Sequence, residues 1–173
     1  GLNTLFVALC NNKEFKALDF SHLKHTISGG MALTEAAAGT WQQVTGCQIQ
    51  EAYGLTETSP AVSFNPYHDI RIGTIGKVVT GTEVKVIAED GTDVGFNQEG
   101  ELCVKGPQVM AGYWQRPEAT AEVIDADGWF KTGDVAILAE DGFIRLVDRI
   151  KDMIIVSGFN VYPNEIDDIA SQH

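Results

Sequence analysis

Apolar positions at the start of the chain fall at helical spacing. Leu5, Phe6, Leu9 and Cys10 follow Asn3 and Thr4, which predicts a short helix over 3–12 with those two polar residues as its caps. A polar, turn-like stretch runs from Asp19 to His25, and Thr26 to Ser28 predicts a strand entering Gly29-Gly30. A second helix is expected from Thr34 to Thr45. Thr34 is its N-cap, Ala37, Trp41 and Val44 share one face, and Gly46 forms its stop. Gln48 to Ala52 then predicts a strand ending at Tyr53-Gly54. Strand, helix, strand in this order suggests part of a parallel α/β layer.

The texture changes near Ile72, where Gly73 and Gly76 mark a loop. Polar and apolar residues alternate over 83–86 and again over 101–105, with Asp90-Gly91 as a turn between them. Pro117 suits the first position of a short helix ending near Val123. Trp129 to Thr132, Val135 to Leu138 and Phe143 to Val147 predict strands, the last two joined by a turn at Asp141-Gly142. This middle section therefore reads as mostly antiparallel β. The charged run Asp148 to Asp152 is the clearest boundary. Beyond it, Met153 to Val156, a Ser157-Gly158 turn and Val161-Tyr162 predict a small hairpin. A helix with Ile166, Ile169 and Ala170 on one face follows.

Composition narrows the function classes. The 173 residues are 44% hydrophobic and 21% charged, an ordinary globular balance with no run near the ~20 apolar residues of a membrane-spanning helix. A formal net charge of −12 argues against nucleic acid as partner. Cys10, Cys47 and Cys103 form neither a disulfide framework nor a zinc pattern, which points to a reducing compartment. No leader is visible, and the chain opens on Gly1 and ends within a helix-like run, so it is expected to be a piece of a longer protein.

Several segments carry candidate chemistry. His22 and His25 lack the companions of a metal site, so surface or capping roles fit them better. Gly73 to Lys77 fails as a phosphate loop, because Arg71 and Val78 occupy positions that need Gly and Ser or Thr. Ser59 sits in no nucleophile elbow. Ser28-Gly29-Gly30-Met31 joins a strand to a helix, where α/β proteins bind ligands, and bare backbone there admits a flat ring; it also reads as a plain tight turn. Tyr53 to Thr58 offers an aromatic ring, hydroxyls and a carboxylate suited to Mg²⁺, or else a solvated loop. Lys131 to Asp134 reads as a strand-to-loop junction whose carboxylate could accept from ribose hydroxyls, although Asp is also common in turns. Asp148 to Asp152 is either a salt-bridged surface strip or a hinge with a ligand-facing Arg.

Taken in order, these segments resemble the adenylate-forming enzymes, the superfamily of acyl-CoA synthetases, luciferase and peptide-synthetase adenylation domains. The resemblance rests on SGGMAL at 28–33, EAYGLTETSP at 51–60, GELCVKGPQVMAGYW at 100–114, DGWFKTGD at 127–134 and DRIKDMIIVSGFNVYPNEID at 148–167. The wording at 106–120 and 153–167 looks most like bacterial long-chain fatty acid–CoA ligases.

The resemblance implies an α/β plus β fold. Residues 1–71 would end an α/β subdomain, 72–147 would form a distorted antiparallel β-barrel subdomain, and 148–173 would hold a hinge and the start of a small α+β C-terminal domain. It implies activation of a fatty acid by ATP with Mg²⁺, then transfer to CoA. Glu57 would hold the metal and Thr56 would touch phosphate. Tyr53 would stack on adenine, and Gly30, Ala52 and Gly54 would line the nucleotide and acyl pocket. Asp134 would bind ribose with help from Arg149, Lys151 would be the hinge, and Gly158 would border the CoA tunnel. The family's phosphate loop and its C-terminal Lys have no counterpart within residues 1–173, so this piece alone is expected to be inactive. A non-catalytic nucleotide-binding or interaction module of the same ancestry, and a ligase for another acid, remain as alternatives. The expected location is cytoplasmic, with contact at the inner face of a membrane left open.

Overall fold

The computed structural model describes residues 1–156, 159–163, 166, 169 and 170. The first apolar stripe folds as helix α1 (Asn3–Asn11), burying Phe6 and Cys10. Its caps differ from the sequence expectation. Leu2 is the N-cap and supplies no side-chain bond, while Asn3 Oδ1 accepts from the Thr34 backbone N–H at 3.2 Å instead. A one-turn helix, α2 (Lys13–Lys16), follows under a side-chain cap from Asn12. Strand β1 (Thr26–Gly29) leads to helix α3 (Glu35–Thr45). The α3 ends are as the sequence predicts: Thr34 Oγ1 accepts from Ala37 N at 3.3 Å, and Gly46 stops the helix at φ 72°. α3 lays Ala37, Ala38 and Trp41 over Phe6, Cys10 and Ile49, with Phe6 and Trp41 edge to face at 4.9 Å.

Strand β2 (Ile49–Gly54) runs parallel to β1. The chain then doubles back through β3 (Ala61–Phe64) and β4 (Lys77–Val78), both antiparallel to their neighbours. The first sheet, in order β1-β2-β3-β4, is therefore mixed rather than parallel. The second sheet holds β5 (Glu83–Ile87), β6 (Glu99–Lys105), β7 (Phe130–Leu138) and β8 (Ile144–Arg149). It is an open four-stranded antiparallel meander, so the expected barrel is not closed among the described residues. Between β6 and β7 lies helix α4 (Pro117–Val123), with its Pro at the first turn as expected. Strands β9 (Ile154–Val156) and β10 (Phe159–Val161) form the final antiparallel hairpin. The expected turn at Ser157-Gly158 and most of the expected last helix lie outside the described residues.

The two large sheets share one core. Alternation along β5–β8 sends Val86, Leu102, Val104, Ala136 and Ile144 to one face, where they meet Val62 of β3 and Ile75 of the loop before β4. Backbone bonds stitch that loop to β8: Ile75 N donates to Ile144 O, and Ile144 N donates to Gly76 O, both at 2.9 Å. Gly76 has φ +75°, and a Cβ there would stand 2.1 Å from the Phe64 carbonyl carbon. Only glycine lets the loop pass so close. Outside this seam, the Arg71 guanidinium lies 3.6 Å over the Phe143 ring and pairs with Asp69 and Asp141.

Leu102→Ala removes a side chain with no solvent exposure from this shared core. Stability is expected to fall by about 2–5 kcal/mol. Phe96→Ala, at a position 54% exposed, is expected to change it by about 0.5 kcal/mol or less. Chemical denaturation of the two variants checks the difference.

Candidate functional site

A cleft of about 510 Å³ opens between the sheets. On one side it is lined by Ser28 of β1, by Gly30 and Met31 just after it, and by Ala52, Tyr53 and Gly54 at the end of β2. On the other side stand Asp134 of β7 and Arg145, Val147 and Arg149 of β8, and Gly73 and Thr74 also line the cleft. Six of the seven residues expected to bind nucleotide thus meet in one place: Gly30, Ala52, Tyr53, Gly54, Asp134 and Arg149.

The local sequence explains the placement. Gly30 adopts φ +91°, which turns the chain away from β1 and leaves bare backbone at the cleft. Gly54 sits where β2 meets the returning chain, and a Cβ there would lie 1.8 Å from the Pro60 carbonyl oxygen. Asp134 does not stand at a strand-to-loop junction, as its Thr-Gly-Asp setting suggests. It lies inside the continuous strand β7, because Gly133 at φ +74° takes up a register irregularity opposite β6 without ending the ladder. Thr132 Oγ1 donates to Leu102 O at 2.8 Å, and Gly133 N donates to Glu101 Oε1 at 3.0 Å. The strand is thereby held on both sides of the kink.

Asp134 is 4% exposed and each oxygen of its carboxylate has a partner. Tyr53 Oη donates to Oδ2 at 2.5 Å, and Arg149 Nε lies 3.1 Å from Oδ1. Asp134 and Arg149 are also register partners between β7 and β8. Burial, first, and then the Asp134 charge push the Tyr53 phenol far above its ordinary value, so it stays protonated. In the charged run from 148, Asp148 is buried while Arg149 to Asp152 are exposed, and the Arg149 side chain pairs with Asp134 across the sheet. Lys151 follows in an exposed turn after β8. Gly158 lies outside the described residues.

Thr56 and Glu57 are not among the cleft-lining residues. They occupy a tight 3-10 turn, Thr56–Thr58, just beyond β2. Thr58, fully buried, locks that turn by donating to Pro60 O at 2.7 Å and accepting from Leu55 N at 3.0 Å. Thr56 is exposed, and the half-buried Glu57 accepts from Tyr113 Oη at 2.9 Å. No group of three or more metal-binding side chains occurs among the described residues. A lone carboxylate beside a cleft suits a hard cation brought in largely by phosphate oxygens, so Glu57 fits Mg²⁺ as a single protein ligand. Ser28 was expected only as part of the Ser28 to Met31 segment, and sequence reasoning did not name Tyr113, Thr74 or Arg145 as site residues. The Tyr113 contact closes a span of 56 positions, which no local pattern encodes.

The AMP-binding enzyme family model matches residues 1–114. The chain belongs to that family. Within it, the chain is 57% identical to the long-chain-fatty-acid–CoA ligase of Salmonella typhimurium over 174 aligned residues, all of this chain and 31% of that protein. Among solved structures, ATP-bound MatB from Rhodopseudomonas palustris superposes with a TM-score of 0.88 at 35% identity, over 96% of this chain and 33% of that one. The O-succinylbenzoate coenzyme A synthetase of Bacillus subtilis, in complex with ATP and magnesium, gives 0.85 at 27% identity, over 98% and 35%. The chain therefore spans about a third of the length of these relatives. No helix among the described residues is long and apolar enough to cross a membrane.

The buried tyrosine gives a sign that can be tested. In the unfolded family member Tyr53 loses its proton near the ordinary pKa of 10.0, whereas the fold retains it. The stability contributed by the protonated phenol is whole below that pH and declines as pH rises above it. Alkaline titration of tyrosinate absorbance is expected to show a tyrosine that ionises only with unfolding, and Tyr53→Phe is expected to remove that component.

Proposed function

We propose that the protein activates a long-chain fatty acid with ATP and passes the acyl group to CoA. The observation that carries this reading is the cleft between the sheets. There, bare backbone at Gly30 and the Tyr53 ring share a wall, opposite a buried Asp134 backed by Arg149. Such a wall suits a purine ring, and the carboxylate suits a ribose. The 57% identity to a long-chain fatty acid ligase across the whole chain supports the acid, and the ATP-bound and ATP- and magnesium-bound neighbours support the nucleotide and the cation.

In the first step a carboxylate oxygen of the acid forms a bond to the α-phosphorus of ATP. The bond to pyrophosphate breaks, leaving an acyl-adenylate. In the second step the CoA sulfur attacks the acyl carbon and AMP departs. Tyr53 and the backbone of Gly30, Ala52 and Gly54 bind and orient the base. Asp134 accepts from the ribose with oxygens already fixed by Tyr53 and Arg149, and this pre-organisation lowers the ordering cost of binding. Thr56 contacts phosphate. Glu57 would hold Mg²⁺, which when bound neutralises charge on the phosphates. Residues 1–71, 72–147 and 148–173 act as three units, with Lys151 as the hinge between the last two and Gly158 beside the CoA tunnel. The cytoplasm is the compartment, and the inner face of the membrane is where a poorly soluble acid is met.

Two experiments on the full-length protein test this reading. Asp134→Ala is expected to weaken ATP binding by about 1.5–3 kcal/mol, the range for hydrogen bonds to a charged group. Unchanged affinity by calorimetry would remove Asp134 from the nucleotide site. A hydroxamate assay across acids of different length and class is expected to favour long acyl chains, and preference for an aryl or short acid would overturn the substrate while leaving the adenylation. At the hinge, Lys151→Pro fixes φ near −65°. It is expected to cost one half-reaction far more than the other, read as pyrophosphate release against thioester formation from supplied acyl-adenylate.

A further inference from the structure

A single carboxylate that holds a cation must be kept in one orientation, and Glu57 sits on a short turn with no acidic neighbour on that turn to constrain it. The segment between β6 and α4 supplies the constraint at two points. Met110 N donates to the Glu57 carbonyl oxygen at 2.8 Å, and Tyr113 Oη donates to Glu57 Oε1 at 2.9 Å. Tyr113 is itself tied down from behind. Its backbone N–H donates to Thr120 Oγ1 at 2.9 Å, and the same hydroxyl donates to Arg116 O at 2.9 Å. Gly112 allows the approach: its φ is +147°, and a Cβ there would stand 2.8 Å from Thr120 Cγ2. Hydrogen bonds thus run without a break from helix α4 through Tyr113 to the carboxylate.

We infer that Tyr113 is a positioning residue for the cation site: its hydroxyl fixes the Glu57 carboxylate and leaves the other oxygen, Oε2, to the metal. This rests on the proposed role of Glu57. The phenol takes up lone-pair capacity at Oε1 and sets the plane of the carboxylate. Oε2 forms no other hydrogen bond among the described residues. A ligand held in place before the cation arrives loses less freedom when it binds, which is how outer partners of metal ligands raise affinity. Tyr113 is 38% exposed and outside the shared core, so removing its hydroxyl alone leaves the packing intact.

The test is a Mn²⁺ titration of the full-length protein with ATP, followed by paramagnetic resonance of the free ion, on the parent protein, Tyr113→Phe and Glu57→Gln. Tyr113→Phe is expected to weaken Mn²⁺ binding about tenfold, the lower end for loss of a partner of a metal ligand. Its pyrophosphate release is expected to recover at high Mg²⁺, a shift in the metal requirement rather than in the maximal rate. Thioester formation from supplied acyl-adenylate is the control, because that half-reaction holds no polyphosphate. Glu57→Gln separates the two claims. If Glu57→Gln leaves Mn²⁺ binding unchanged, the metal role of Glu57 fails. If Glu57→Gln weakens binding and Tyr113→Phe does not, the positioning role alone fails. Equal loss of both half-reactions in Tyr113→Phe would make the tyrosine structural and overturn the inference.

Discussion

A buried carboxylate governs the arrangement of this structure. Asp134 is nearly sealed from solvent, and an unpaired charge in such a place costs several kcal/mol. Its two partners come from opposite directions. Tyr53 arrives from the first sheet, 81 positions away in sequence, and Arg149 from the adjoining strand of the second. Sliding one sheet against the other by one residue would take Tyr53 away from Asp134 and leave only Arg149, which shares its sheet. Tyr53 and Asp134 thus join the sheets at the cleft, beside the backbone bonds that tie Ile75 and Gly76 to Ile144. The shared apolar core gives the attraction but little direction; the polar contact selects one register from those the core would accept.

The same requirement explains the glycines around the site. Asp134 must point into the cleft from the middle of a strand, and Gly133 in the left-handed region lets the ladder change register just before it. Tyr53 must end β2 close to the returning chain, and Gly54 makes room for the Pro60 carbonyl. The loop before β4 must touch β8, and Gly76 allows it. In each case a local backbone compromise keeps a long-range polar contact in place.

Much of the framework was legible because it depends on local rules. Thr34 and Gly46 mark the ends of α3, Pro117 marks the start of α4, and alternation marks β5 and β6. Strands β3 and β4 were not read from the sequence. They are too short to alternate visibly, and β3 is a strand because β2 and β4 flank it. The Thr-Gly-Asp stretch misled for the opposite reason: its composition is that of a turn, yet pairing with β6 and β8 carries the strand through it. The site residues were named through motif order. Their mutual contacts, Tyr53 with Asp134 and Tyr113 with Glu57, were invisible, since nothing in a linear pattern states which loop returns to which carboxylate.

The end of β8 carries the last structural consequence. Arg149 is the final residue of that strand and the partner of Asp134, and the backbone N–H groups of Asp152 and Met153 both donate to its carbonyl. Beyond it lies the hairpin β9–β10, followed by Tyr162, whose hydroxyl stands 3.5 Å from Glu99 Oε2. Tyr162 is buried against Val135 and Val147 with Met153 packed beside them, while Ile154 and Val156 remain half exposed. Burying one aromatic side chain is worth about 1.5–3 kcal/mol, an amount that substrate binding can readily offset. Val147 also lines the cleft, so undocking the hairpin would uncover a side chain that the nucleotide side shares. A turn about Lys151 would then act two residues from the carboxylate's own partner. On the proposed function, the hinge at Lys151 would thus turn the end of the chain beside a cleft where Tyr53 and Arg149 hold Asp134 in place.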